Sequence, residues 1–121
     1  MADATDGTQT QPVMVQAANE MVRIYKDQFG RGPQRAYASF AGADLLIATL
    51  EGSLTPAERN MVEMGELQRV RDIRLFFQHA SEREFTEAVE RVTGRTVRAF
   101  VSGIDAQRDI ASEVFYLESE D

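Results

Sequence analysis

The sequence has no cysteine and only one histidine, His79, in 121 residues. The missing thiols exclude disulfides, thiolate metal sites and a cysteine nucleophile, and a single imidazole excludes a metal site built from several histidines. Of the 13 basic residues only Lys26 is a lysine, and the 20 acidic residues give a net charge of −7. This acidic balance, with a pI near 4.7, argues against a nucleic-acid partner, because the phosphate backbone attracts basic surfaces.

The chain also lacks a long apolar run. The longest run, at residues 45–50, is far shorter than the roughly 20 residues that span a bilayer, so we expect no direct membrane insertion. Residues 1–11 are small and polar and contain no Arg or Lys, which is unlike a signal peptide or a mitochondrial presequence. They predict a flexible N-terminal tail, and the expected location is the cytoplasm.

The negative charge is concentrated at the two ends of the chain. Residues 31–104 contain ten acids and ten bases, whereas residues 105–121 contain six acids and one base. The last three residues, 119–121, therefore predict a solvated acidic C-terminal tail. The length between the tails suits one domain, which we place at residues 12–118.

The first half of this domain predicts a helix followed by a hairpin. Apolar residues recur every three or four positions over residues 12–29, which is typical of an amphipathic helix. The sequence that begins at Gly30 and ends at Pro33 predicts the end of this helix. Residues 35–40 and 45–51 then predict two strands, joined by a linker of hairpin length.

The middle of the chain predicts further helices. Thr55, Pro56 and Glu58 form the pattern of a capping box, so a helix should begin at Thr55 and run to about Met64. A bend is expected at Gly65, and a helical stripe then continues to Val92. Ser81 precedes Glu84 by three residues, which predicts a second capping box and a kink, so the continuity of residues 55–93 stays open.

Two more strands, at residues 96–104 and 110–117, complete the domain. The order of elements predicts an α+β fold of helix, hairpin, helices and hairpin, with one largely antiparallel four-stranded sheet and helices on one face. The strand order stays open. The other face would carry the apolar side chains of Tyr37, Leu45, Ile47 and Phe100 or Phe115. A second copy of the chain could cover them, so we predict a homodimer.

No pattern in the sequence predicts a catalytic residue, a metal ligand or a cofactor. His79 has no Ser, Asp or Cys at the spacing of a triad and is expected at the surface. Asp105 and Asp109 predict a turn, because the ladder of oxygens in a calcium loop is missing. The acids Glu82, Glu84, Glu87 and Glu90 have the pattern of a solvated helix face. Arg69, Arg71 and Arg74 form a local basic cluster, but they do not all share one helix face and acids interrupt them, so we do not expect this helix to bind nucleic acid.

Three residues remain as candidates for contact with a ligand or partner. Arg31 follows the first helix and could bind a carboxylate or a bicarbonate-like ion through its planar guanidinium. Tyr37 and Phe100 lie on predicted strands and could line a cavity between sheet and helices. A cavity shared by all three residues would favour a ligand-binding protein.

Several segments together resemble the MpsC-like family of small bacterial proteins, long described as a domain of unknown function. The most specific segments are Gly30-Arg31-Gly32-Pro33 and Leu54-Thr55-Pro56-Ala57-Glu58, and a third is Val92-Thr93-Gly94-Arg95-Thr96-Val97. The resemblance covers about residues 13–118. It implies a soluble component of a Na⁺-translocating, membrane-potential-generating system whose other components are membrane proteins. It implies no catalytic residue and no cofactor.

The sequence therefore predicts a non-enzymatic, soluble accessory protein, and by resemblance its partner would be a membrane transporter subunit for cations or inorganic carbon. The alternative is a small-molecule-sensing or regulatory binding module. An enzyme would need a pocket with perturbed carboxylates, which the acids of residues 82–90 could supply.

Overall fold

The order of helices and strands agrees with the predicted pattern. The computed structural model describes residues 12–120, so the predicted tail at residues 1–11 lies outside the described residues. The α+β fold class is confirmed. The elements are α1 (Val13–Phe29), β1 (Arg35–Phe40), β2 (Leu45–Glu51), α2 (Pro56–Glu63), α3 (Leu67–Ala80), α4 (Glu82–Thr93), β3 (Val97–Asp105) and β4 (Ile110–Leu117).

The four strands form one antiparallel sheet in the order β1-β2-β4-β3. Each hairpin pairs internally, and β2 joins β4, with Leu46 opposite Phe115. Most side chains of these two strands are apolar on both faces, which suits the centre of a sheet. The edge strands β1 and β3 carry the exposed charges of Arg35 and Arg98, which discourage further pairing at the edges.

The main core lies between one face of the sheet, here called the inner face, and helices α1 and α4. Alternation along β2 and β4 directs every second side chain to this face. The inner face and the helices bury a continuous cluster; its members include Met21, Ile24, Leu46, Leu50, Phe85, Val89, Phe115 and Leu117. A smaller cluster of Leu54, Val70 and Ala106 packs under α2 and α3.

The expectation that Phe100 or Phe115 lies on the face away from the helices is wrong. The two residues are opposite each other in the register of β3 and β4, and both pack into the inner-face core. A register shift lies between Val97 and Ala99. This irregularity changes the phase of alternation, so Val97 joins Phe100 on the inner face.

The helix ends follow the predicted turns except at one position. Gly30 adopts the left-handed conformation (φ 80°) and donates its N–H to the Lys26 carbonyl, which ends α1. Thr55 and Glu58 form the predicted capping box. Ser81 separates α3 from α4, but its side chain makes no capping hydrogen bond, so the second capping box is wrong although the break is real.

None of the helices within residues 12–120 is long and apolar enough to cross a membrane. The longest, α1, has 17 residues and alternates buried positions with charged ones.

Candidate functional site

One carboxyl group lies in the centre of the inner face. The alternation of β4 places Glu113 on the same side as Ala111 and Phe115, and its side chain has 0% exposure. An acidic side chain is rarely buried completely unless a partner compensates its charge. Glu113 is therefore the first residue whose position needs a functional explanation.

Two side chains from different helices bond to this carboxyl group. The Tyr25 hydroxyl on α1 donates to Glu113 Oε2 at 2.5 Å. Gln78 on α3 donates from Nε2 to the same Oε2 at 2.8 Å and to the Tyr25 hydroxyl oxygen at 2.8 Å. Tyr25 and Gln78 are themselves buried. Three segments that are far apart in the chain thus meet at one oxygen atom.

The other oxygen of the carboxyl group has no partner. Glu113 Oε1, Gln78 Oε1 and Ser102 Oγ are all buried without a hydrogen bond. Ser102 is opposite Glu113 in the register of β3 and β4, and rotation of its hydroxyl toward the carboxyl group supplies a hydrogen bond that lowers the pKa of Glu113. We call Tyr25, Gln78, Ser102 and Glu113 the buried carboxyl cluster.

Burial controls the protonation of this cluster. Removal from water raises the pKa of Glu113 to about 7, against the opposing effect of the Ser102, Tyr25 and Gln78 side chains. Burial, together with the neighbouring Glu113 carboxylate, raises the pKa of Tyr25 well above its ordinary value. Tyr25 therefore stays neutral, and Glu113 changes protonation near neutral pH.

A buried arginine lies one helical turn from this cluster. Arg74 has 0% exposure and binds Glu58 through two nitrogens, at 2.8 and 2.7 Å. It also donates to the carbonyl oxygen of Ser53 at 2.8 Å, and its guanidinium lies 3.6 Å from the ring centre of Phe29. Every face of this cation is thus in contact with protein, and we call Arg74, Glu58 and Ser53 the arginine anchor.

The arginine anchor holds Glu58 in its charged form. Burial works to raise the pKa of Glu58, but hydrogen bonds from Arg74 and from the Thr55 backbone outweigh it and lower that pKa. Glu113 has no such cation, since no Arg or Lys in residues 12–120 donates a hydrogen bond to it. The pKa values of the two acids are therefore shifted in opposite directions.

Arg74 does not lie on the same helix face as Arg69 and Arg71, in agreement with the sequence pattern. Those two residues are exposed, whereas Arg74 points inward. The spacing of four residues places Arg74 and Gln78 on the same face of α3. That face covers the inner side of the sheet.

The three predicted contact residues do not share a site. Arg31 donates to the carbonyl oxygens of Leu54 and Gly52 at 3.3 and 3.4 Å. Tyr37 lies on the face of the sheet away from the helices. It lines a shallow hollow of about 180 Å³ at the edge where β1 meets α1. Phe100 packs in the core beside Phe85 at 5.6 Å between ring centres. No observation therefore favours a ligand cavity formed by all three.

The outer face of the sheet, away from the helices, is largely apolar. Across its middle, Ile47, Val114 and Val101 are paired in register on three strands. The apolar side chains of this outer face are those of Tyr37, Leu45, Ile47, Val101, Val114 and Tyr116. Val101 is 54% exposed and Tyr37 is 42% exposed. Contiguous apolar surface of this kind typically marks an interaction site.

Other charged groups have structural roles. Asp109, in a left-handed conformation (φ 57°), accepts hydrogen bonds from the backbone of Ser53 and Leu54. Asp105 accepts from the Arg108 backbone, so the predicted turn is present. Residues 12–120 contain no group of three or more acids or histidines that could hold a metal ion.

Sequence reasoning missed the buried carboxyl cluster. The signal was available in β4, where Glu113 occupies the inward phase set by Ala111, Phe115 and Leu117. An acid at an inward strand position conflicts with the rule that acids are exposed. Such a conflict is expected at functional positions.

The fold and this cluster define an α+β protein with one helix-covered antiparallel sheet and a titratable carboxyl group in its centre. The chain belongs to the MpsC family, whose model, described as "Na+-translocating membrane potential-generating system (MpsC)", matches residues 11–119. The family name links the protein to such a system. No curated protein and no solved structure matches the chain significantly.

Proposed function

We propose that this protein is a non-enzymatic accessory component of a Na⁺-translocating system that generates a membrane potential. The family match over residues 11–119 is the observation that carries the proposal. The non-enzymatic part is supported by the burial of Glu113 and Arg74. A group that transfers a proton to a substrate must be able to reach it, and these two side chains have no surface exposed to solvent.

Deletion of the gene in its host tests this proposal. We expect the Na⁺-dependent membrane potential, measured with a voltage-sensitive dye, to fall after deletion and to return when the full chain is expressed again. Affinity capture on the full chain from solubilised membranes should recover a membrane-spanning subunit of a cation carrier. An unchanged potential, with no carrier subunit above the level of a bait-free column, would contradict the proposal.

We also propose that the outer face binds a second copy of the chain. Its apolar row of Ile47, Val114 and Val101 would suit the packing of two sheets face to face. The charged residues on this face are Arg35, Arg98, Glu51 and Asp105, so the face is neutral although the whole chain has a net charge of −7. Two copies would therefore meet here without net repulsion, in a symmetric contact.

Light scattering tests the dimer. We expect a mass of twice 13.6 kDa at micromolar concentration. Val101→Lys should give the mass of one chain, because an ammonium group would lose its water in the contact. Phe76→Lys is the matched control, since Phe76 is 68% exposed on α3, and it should leave the mass unchanged. A mass of 13.6 kDa for the unmodified protein would refute the dimer.

A further inference from the structure

The edge of the sheet at β1 presents backbone groups that β2 does not use. Ala41 donates its N–H to the Leu45 carbonyl oxygen at 2.8 Å, so the hydrogen-bonded pairs of this hairpin fall on the odd-numbered residues of β1. The N–H and C=O groups of Ala36, Ala38 and Phe40 therefore point away from β2. No further strand of residues 12–120 pairs with them. We call these three residues the open edge of β1.

The open edge has little protection against a further strand. Native proteins usually block such an edge with charges, prolines or bulges along it. Arg35 supplies a charge only at the first position of β1, and its guanidinium lies 4.8 Å from the ring centre of Tyr37, on the outer face. The residues from Ala36 to Phe40 contain no charge and no proline. This part of β1 therefore remains able to accept an added strand.

The hollow between β1 and α1 lies directly beside the open edge. Ala36 and Ala38 line it from the strand, and Met14, Val15 and Ala18 line it from the helix. None of its lining residues is charged. Its volume is about 180 Å³, and a cavity of about 150 Å³ is large enough for a benzene ring. The hollow therefore has room for one large apolar side chain.

The two features together specify the chemistry of an occupant. Donors and acceptors that repeat along a strand are matched by the backbone of another extended chain, because its own groups have the same spacing. Every second side chain of such a chain would face α1. A charged side chain there would lose its water without gaining a partner. The occupant that fits is an extended polypeptide whose side chains toward α1 are apolar.

We propose that the open edge and the hollow together bind an extended, uncharged segment of a partner protein, which adds to the sheet as a fifth strand and places one large apolar side chain in the hollow. The added segment would lie between an edge strand and a helix, so backbone hydrogen bonds would supply affinity and the hollow would supply specificity. The proposal does not require the accessory function or the dimer.

Amide hydrogen exchange of the full chain, followed by NMR, tests the proposal with a synthetic peptide. The peptide has six residues, the length of β1, is blocked at both ends, and alternates threonine with valine except for one central phenylalanine. At a tenfold excess over its Kd, exchange at Ala38 and Phe40 should become about 10-fold slower. The amides of Tyr37 and Ser39 should change little, because they already bond to β2. A peptide with glutamate in place of phenylalanine should bind more weakly.

Two variants separate the edge from the hollow. Ala38→Pro removes an N–H of the open edge at a position where an edge strand tolerates proline, and it should weaken the Kd at least about 10-fold. Val15→Asp places a carboxylate at the hollow and should weaken the Kd about 10-fold. Val13→Asp is the matched control, since Val13 and Val15 are 40% and 42% exposed but only Val15 lines the hollow. It should leave the Kd within about twofold.

Several outcomes would overturn the proposal. One is the absence of slower exchange at the open edge with up to about 1 mM peptide. Slow exchange there without peptide would mean that another part of this chain, or a second copy if dilution speeds exchange, already covers the edge. Shifts of Met14 and Val15 resonances without slower exchange would mean that the hollow alone binds small apolar molecules. Equal affinities for Val13→Asp and Val15→Asp would remove the hollow from the site.

Discussion

Replacement of Arg74 by Ala is expected to lower the free energy of unfolding by about 3–5 kcal/mol, because it removes one partner of a buried ion pair. Glu58 would lose both bonds to the guanidinium, at 2.8 and 2.7 Å, and would keep a charge that is largely withdrawn from water. The Ser53 carbonyl oxygen would lose a bond of 2.8 Å, and the ring of Phe29 would lose the cation above it. Urea unfolding, followed by circular dichroism, measures the change.

Arg69→Ala is the matched control for this prediction. Arg69 lies on the same helix, but its side chain is 75% exposed and pairs with Glu66 at the surface, so its loss should change stability by less than about 0.5 kcal/mol. In the double variant of Arg74→Ala with Glu58→Gln, the second change should cost little, because the uncompensated charge has gone. Costs that simply add would show that Arg74 and Glu58 are not coupled. Equal costs for Arg69 and Arg74 would show that the arginine anchor does not stabilise the fold.

Local patterns in the sequence predict most of the framework of this protein. The bounds of β1, β2 and β4 agree with those expected from alternation and turn residues. The capping box of Thr55 and Glu58 is present because it depends on residues three positions apart. Gly30 ends α1 for a similarly local reason.

Features that depend on distant parts of the chain were not predicted. The burial of Arg74 follows from where the Ser53 loop lies against α3, which no pattern within the helix reveals. The inward position of Phe100 depends on the order β4-β3 and on the shift between Val97 and Ala99. The partners of Glu113 come from α1 and α3, 88 and 35 residues away. Only the tertiary structure brings these groups together.

The two buried acids show how similar burial leads to different chemistry. Glu58 contacts the guanidinium of Arg74 and stays charged, so its lowered pKa adds to the free energy of unfolding at neutral pH. Glu113 contacts only neutral groups and changes protonation near neutral pH. Glu58 therefore stabilises the fold as a permanently charged partner of Arg74, whereas Glu113 exchanges a proton near neutral pH.

The pH dependence of stability provides the second large effect. The pKa of Glu113 is about 7 in the folded protein against an ordinary 4.5, so the folded state binds more protons than the unfolded chain between these values. The free energy of unfolding should therefore fall as pH rises through this range and level off above it. The difference in pKa corresponds to about 3 kcal/mol. Glu58, whose pKa is lowered, acts in the opposite direction and only at lower pH.

Glu113→Gln isolates this contribution, because the amide keeps the shape of the side chain but cannot ionise. The variant should match the unmodified protein within about 1 kcal/mol at pH 5 and exceed it by up to about 3 kcal/mol at pH 8. Its amide oxygen can accept from Tyr25, and its amide nitrogen can donate to the unpaired oxygens of Gln78 or Ser102. Chemical unfolding at each pH measures the difference. If the two proteins differ by the same amount at pH 5 and pH 8, Glu113 does not titrate in the interior of the folded protein.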